Sequence, residues 1–301
     1  MLKPPGMSSH DVVAYIRKIT GIKKIGHSGT LDPSAVGVLP IFIGKATKAV
    51  DYAIEGNKSY RAELKLGVIT DTGDKCGNIL SNYDWRKYIK EKEYNVQLNN
   101  IMQSFKGKSQ QIPPMYSAIK VNGQKLYNLA RQGKEIERES RQIVISKIEI
   151  INSSYKEGLA LFDVDCSKGT YIRVLCEDIG KKIGCGAHMS YLIRTKSSSF
   201  CIKDSYTIEE IKYLYESNNL LQALIPAEKL FYNLKKYVIT DKNDINRFMN
   251  GCSIAINDTE LENTQSQSQI VTIYINDEFI GLADCYKDEN NLLLKIRKFF
   301  V

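Results

Sequence analysis

Between positions 60 and 66 the chain alternates strictly: Tyr60, Ala62, Leu64 and Leu66 are separated by Arg61, Glu63 and Lys65. A helix would scatter those side chains around its axis. A strand puts the first set on one face and the charges on the other. The segment therefore predicts a half-buried strand. Upstream, Ser8-Ser9-His10-Asp11 offers N-cap groups. Val12, Val13, Ile16 and Ile19 then recur at helical spacing, and Gly21 stops that helix. Val38–Ile43 reads as one buried strand, and Ala46–Ile54 as a helix ended by Glu55-Gly56-Asn57. Further helices are expected over 95–105, 125–131 and 171–183, with strands over 143–151 and 159–166 and a strand-like start to 188–200. Ile119-Lys120-Val121 before Asn122-Gly123 is a hairpin signal. Thr207-Ile208-Glu209-Glu210 is a capping box opening a helix through about Tyr215.

A chain of 301 residues, 43% hydrophobic and 25% charged, has material for one large domain or two smaller ones. The pattern changes near 225–235. Beyond it, Asp241 caps a short helix ended by Gly251, a Gln/Ser-rich stretch spans Asn263–Gln269, and strands are expected over 271–275, 279–285 and 292–299. No stretch approaches the ~18 consecutive apolar residues of a membrane helix, and the N-terminus has no apolar signal core. A cytosolic location is expected. The seven cysteines are scattered and form no CxxC pair, which disfavours a disulfide framework or structural zinc. Cys185-Gly-Ala-His188 is half a metal site without a second half.

The net charge of +8 is unevenly placed. Residues 229–301 hold nine basic and ten acidic side chains, leaving 33 basic against 24 acidic in 1–228. Within 106–141, eight basic residues face three acidic ones, with Tyr116 and Tyr127 interleaved. That mixture suits phosphate contact and stacking on unpaired bases, although composition alone favours a solvated helical surface.

The densest segment is Gly26-His27-Ser28-Gly29-Thr30-Leu31-Asp32-Pro33, where glycines flank a histidine and a carboxylate. No GK[ST] follows, so it is not a P-loop. Asp32 before Pro33 suits a turn residue. Spacing alone favours that turn reading; a functional carboxylate there would need a cationic partner to stay ionised in a partly apolar site.

Gly26–Pro40, GHSGTLDPSAVGVLP, resembles the catalytic motif of the bacterial tRNA pseudouridine-55 synthases, the TruB family. Four further segments resemble that family in order: Lys3–Ser9, Lys58–Ala62, Pro113–Lys120 and Ser167–Arg173. The resemblance covers residues 1 to about 228, and more weakly the tail, which is similar to a PUA-like RNA-binding domain. Fewer residues precede Lys3 than is usual in the family, so either the first strand is cut short or the true start lies upstream. Ser28 stands where threonine is common and keeps the hydroxyl.

The resemblance implies an α+β fold: a mixed, largely antiparallel sheet core of the pseudouridine synthase type with a C-terminal PUA-like β domain. It implies a catalytic domain over 1–228, an RNA-clamping insertion over about 106–141, and the PUA-like domain over 229–301. The implied reaction turns uridine into pseudouridine in the T-loop of tRNA, at position 55, by base flipping. It needs no redox step or group donor, so no cofactor and no metal are implied. By resemblance Asp32 is the catalytic aspartate, and three routes at the ribose stay open: attack on C1′, charge stabilisation there, or proton removal. Arg173 is implied to pair with it through a fixed guanidinium fork. Tyr60 is implied to stack on the target base. Tyr171 and Leu192 match base-pocket residues, His27 a residue reaching into the RNA loop, and Lys48 a lysine near the phosphate path. Lys120 and Arg131 fall in the clamp. The expected partner is the tRNA T arm, bound by a monomer. The rival readings are a non-catalytic tRNA-binding or tRNA-folding protein, and a synthase with another RNA target.

Overall fold

The computed structural model describes residues 1–121, 123–258, 261, 268–288 and 291–301. The alternating run becomes the strand Lys58–Leu66, in the middle of an eight-stranded sheet. Strand order across that sheet is Leu2–Lys3, Val36–Val38, Ala187–Ser197, Lys58–Leu66, Leu159–Cys166, Arg141–Ser154 and Gly107–Gln111, with Phe200–Cys201 folding back onto Ala187–Ser197. Every pairing is antiparallel except Val36–Val38 with Ala187–Ser197. The sheet is therefore mixed and largely antiparallel, and its first strand is two residues long.

Ala62, Leu64 and Leu66 share a buried face with Ala160, Phe162 and Val164 of the neighbouring strand. Two helices cover that face, Tyr94–Gln103 through Leu98 and Met102, and Ile172–Ile183 through Leu175, Cys176 and Ile179. At roughly 1.5–3 kcal/mol for each large apolar side chain fully buried, this cluster dominates the stability of the first domain. The N-terminal helix is Ser9–Thr20, with the Ser8–Asp11 capping box in place and Gly21 left-handed at its end.

Two expected elements break up. Val38–Ile43 is two strands, Val36–Val38 and Ile41–Ile43, which pair with different partners. Pro40 cannot donate to a ladder, and it falls in the gap between the two strands. The helix expected over 46–54 is a 3₁₀ helix, Gly44–Ala49, running into an α-helix, Val50–Glu55. The strand Ala187–Ser197 ends at a tight turn with Ser198 at φ 55°.

The C-terminal part is a five-stranded sheet ordered Lys235–Val238, Ser268–Ile275, Glu278–Asp288, Asn291–Phe299 and Ile254–Ile256. The helix Lys242–Met249 packs on it through Phe248, with Asp241 accepting from the Asn243 and Asp244 amides. Asn122, residues 263–267 of the Gln/Ser stretch, and Glu289-Asn290 lie outside the described residues. Phe231, Phe279, Leu282 and Phe300 pack against Phe42, Ala49 and Ala53, so one apolar cluster joins the two sheets' domains.

Candidate active site

Asp32 sits on the loop between Ile25–His27 and Val36–Val38, pinned on both sides. Before it, the Ser9 hydroxyl accepts from the Leu31 amide at 2.8 Å and donates to the Leu31 carbonyl at 3.2 Å. After it, the Pro33 carbonyl accepts from the Gly6 amide at 2.8 Å and from Lys3 Nζ at 3.1 Å. Lys3 is 0% exposed and also donates to the Pro4 and Met7 carbonyls. Burial pulls its ammonium down to about 8, against the opposing charge of Asp32. The Lys3–Ser9 segment is thus a brace for the carboxylate loop.

Arg173 is the second residue of the helix Ile172–Ile183, and Gln111 fixes that helix start. The Gln111 amide accepts from the Tyr171 N–H at 2.7 Å and donates to the Tyr171 carbonyl at 3.1 Å. From there the Arg173 fork meets the carboxylate, Nε to Oδ2 at 2.9 Å and Nη2 to Oδ1 at 3.3 Å. Its remaining donors go to the Thr72 carbonyl at 3.0 Å and the Tyr116 carbonyl at 2.7 Å. The Arg173 side chain is 5% exposed and the Asp32 side chain 33%, so the cation is sealed in and the carboxylate opens outward. Desolvation pushes the Asp32 carboxyl above its usual range, with Arg173 pulling it back and the buried carboxylate of Asp74 raising it further. Asp32 therefore depends on Arg173 for its negative charge.

Tyr60 lies half-buried on Lys58–Leu66, with the Asp32 charge acting on its phenol. Desolvation raises that phenol, opposed by the nearby charge of Arg194. Tyr171 is also raised by desolvation, with the Asp32 charge raising it further. Leu192 is buried in the same cluster as Leu31 and Ala35, which flank Asp32, and Tyr60 packs against that cluster. The structure thus gathers Asp32, Tyr60, Tyr171, Arg173 and Leu192.

The other expected residues lie around this centre. His27 ends the strand Ile25–His27 with its Nδ1 buried and without a hydrogen-bond partner among the described residues. Burial and the charges of Arg194 and His10 hold its imidazole below the usual value. Lys120 stands exposed on a two-stranded hairpin, and Arg131 ends the short helix Leu126–Arg131. Lys125 and Arg131 both approach the Tyr127 ring, at 5.4 and 5.6 Å from its centroid. Lys48 lies apart: its ammonium donates to the Phe299 carbonyl at 2.8 Å, at the junction with the C-terminal sheet. Cys185 and His188 are buried, with Cys185 bonded to the Gly186 carbonyl and His188 Nδ1 3.0 Å from the Val68 carbonyl. Among the described residues no group of three His, Cys, Asp or Glu side chains is arranged to hold a metal.

Sequence reasoning missed Gln111, Asp74 and Arg194. Arg194 is 1% exposed beside Tyr60, and a lone arginine in a strand-like run carries no local signal for that burial.

A loop carboxylate ion-paired to a buried arginine, with a tyrosine on the adjoining strand of a mixed sheet, is an arrangement a pseudouridine synthase can use. The profile for the TruB family pseudouridylate synthase N-terminal domain matches residues 17–172, and that for the tRNA pseudouridylate synthase B C-terminal domain matches 173–232. The chain belongs to the TruB family. It is 42% identical to tRNA pseudouridine synthase B of Clostridioides difficile, over 100% of this chain and 98% of the relative. It is 46% identical to the Clostridium tetani protein of the same name, over 95% and 94%. In a solved Cbf5-Nop10-Gar1 complex a chain 27% identical superposes with a TM-score of 0.73, over 100% of this chain and 83% of that one.

Proposed function

We propose that this chain isomerises uridine to pseudouridine in tRNA, at position 55 of the T-loop. The observation that carries this reading is the two-pronged Asp32–Arg173 pair with Tyr60 alongside. The reaction breaks the N1–C1′ bond, turns the base, and joins C5 to C1′. C5 loses a proton and N1 carries one in the product, so the atoms balance without a cofactor. Asp32 acts at the ribose, Arg173 keeps it ionised and oriented, and Tyr60 stacks on the base. The family membership and the relatives named tRNA pseudouridine synthase B support tRNA as the substrate.

The T arm is the element bound, through the basic hairpin and helix of 106–141 and through His27 at the flipped loop bases. The net acidic tail, PUA-like in this reading, contributes by shape rather than charge. Action as a monomer in the cytoplasm is part of the same reading. No described helix is long and apolar enough to cross a membrane. Pseudouridine mapping in total RNA from cells lacking this chain tests the target. The modification at T-loop position 55 disappears; its retention contradicts the reading.

A further inference from the structure

Arg194 is a buried cation without a carboxylate. It is 1% exposed, and among the described residues no ion pair involves it. Burying an unpaired charge is costly, and an apolar side chain would fill a sheet interior more cheaply. Its donors show where the charge is directed. Nε donates to the Val38 carbonyl at 2.8 Å, and Nη2 to the Gly29 carbonyl at 3.0 Å. Those two carbonyls bracket the segment that holds Asp32.

The backbone of Arg194 backs the same loop. Gly37 pairs with it across the parallel ladder at φ 115°. A Cβ at Gly37 would lie 2.2 Å from the Arg194 carbonyl oxygen, so only glycine permits this approach. On its other side, Arg194 is the direct cross-strand partner of Tyr60. Directly opposed residues on antiparallel strands share a face, with Cβ atoms about 4.5–5.5 Å apart. One guanidinium therefore touches both ends of the Asp32 loop, from a residue that shares a sheet face with Tyr60.

We infer that Arg194 is a positioning residue, whose buried guanidinium ties the Asp32 loop to Tyr60 and fixes the phenol against the reacting base. This deepens the proposed reaction and rests on it. Arg194 touches no reacting atom. Its fork holds the loop through two carbonyls, and its cross-strand place beside Tyr60 sets the loop and the phenol in one register.

The test uses the full chain with ¹³Cζ-labelled tyrosine, the Tyr60 resonance being assigned by its loss in Tyr60→Phe. Arg194→Lys keeps the charge and loses the fork; Arg194→Gln loses both. In each variant the Tyr60 resonance moves in the absence of RNA, and affinity for T-arm RNA stays within about twofold of wild type. The single-turnover rate falls at least about tenfold, as expected when a reacting group is misplaced. An unmoved Tyr60 resonance, an undiminished rate, or a loss confined to affinity overturns the inference. Should neither variant fold, Arg194 is a scaffold residue and the inference is equally overturned. Wild-type protein that makes no pseudouridine would defeat the proposed reaction, while the Tyr60 resonance would still report the Arg194 contact.

Discussion

Asp32 and Arg173 stand 141 positions apart in the sequence and meet through both carboxylate oxygens. Neither is held by its own element alone. Ser9, Gly6 and Lys3 pin the Asp32 loop, and Gln111 pins the helix start that presents Arg173. The geometry of the pair is therefore a product of elements far apart in the chain, which lets distant substitutions reach it.

Arg173→Lys keeps a positive charge and loses the fork. A single ammonium cannot serve Asp32, Thr72 and Tyr116 in the geometry of the guanidinium. The single-turnover rate should fall by about 10²-fold or more, with RNA affinity little changed. The acid limb of the rate profile should move to higher pH, because a weaker partner lets the Asp32 carboxyl protonate earlier. A rate near wild type would contradict the assignment.

Ser9→Ala removes a hydroxyl that both accepts from and donates to Leu31. Two buried backbone groups lose their partner, at a cost of about 1–3 kcal/mol. Urea unfolding should show that loss. The turnover rate should drop more than KM rises, since the carboxylate loop loosens.

The pH dependence of stability carries a signature of His27. Its imidazole is lowered by burial, Arg194 and His10. Between that lowered value and 6.5 the unfolded chain binds a proton that the folded chain does not. Stability contributed by neutral His27 is therefore present above 6.5 and is lost as pH falls through that window. His27→Gln removes this part of the acid sensitivity. Unfolding curves at pH 8 and pH 5.5 should diverge less for the variant; equal divergence would mean the imidazole titrates normally.

Neutralising Lys120, Lys125 and Arg131 together tests the clamp. If all three meet phosphates, the slope of log affinity against log salt shrinks by about two to three. Binding titrations at several salt concentrations measure it. An unchanged slope would remove this segment from the interface.

Elements with local signals were legible in the sequence. The helix Ser9–Thr20 carries its cap, its stripe and its terminating glycine within fourteen consecutive positions, 8–21. The strand Lys58–Leu66 declares itself by alternation. The Val38–Ile43 run was misleading because apolar continuity conceals a break at Pro40. The short strands Val68–Thr70, Ile79–Asn82, Lys235–Val238 and Ile254–Ile256 are too brief to show a period. At the site, Asp32, Tyr60 and Arg173 were reached through motif resemblance. Arg194 and Gln111 were not, since their roles arise only from register and packing. Arg194 is defined by facing Tyr60 across two strands 134 positions apart in the sequence, and Gln111 by meeting Tyr171.

The central claim is that the Asp32 carboxylate performs chemistry on a bound uridine. Purified wild type and Asp32→Asn are compared for T-arm RNA binding and for pseudouridine formed. Wild type should convert the RNA fully, while Asp32→Asn binds it comparably and forms no pseudouridine. Conversion by Asp32→Asn at a rate near wild type would contradict the account.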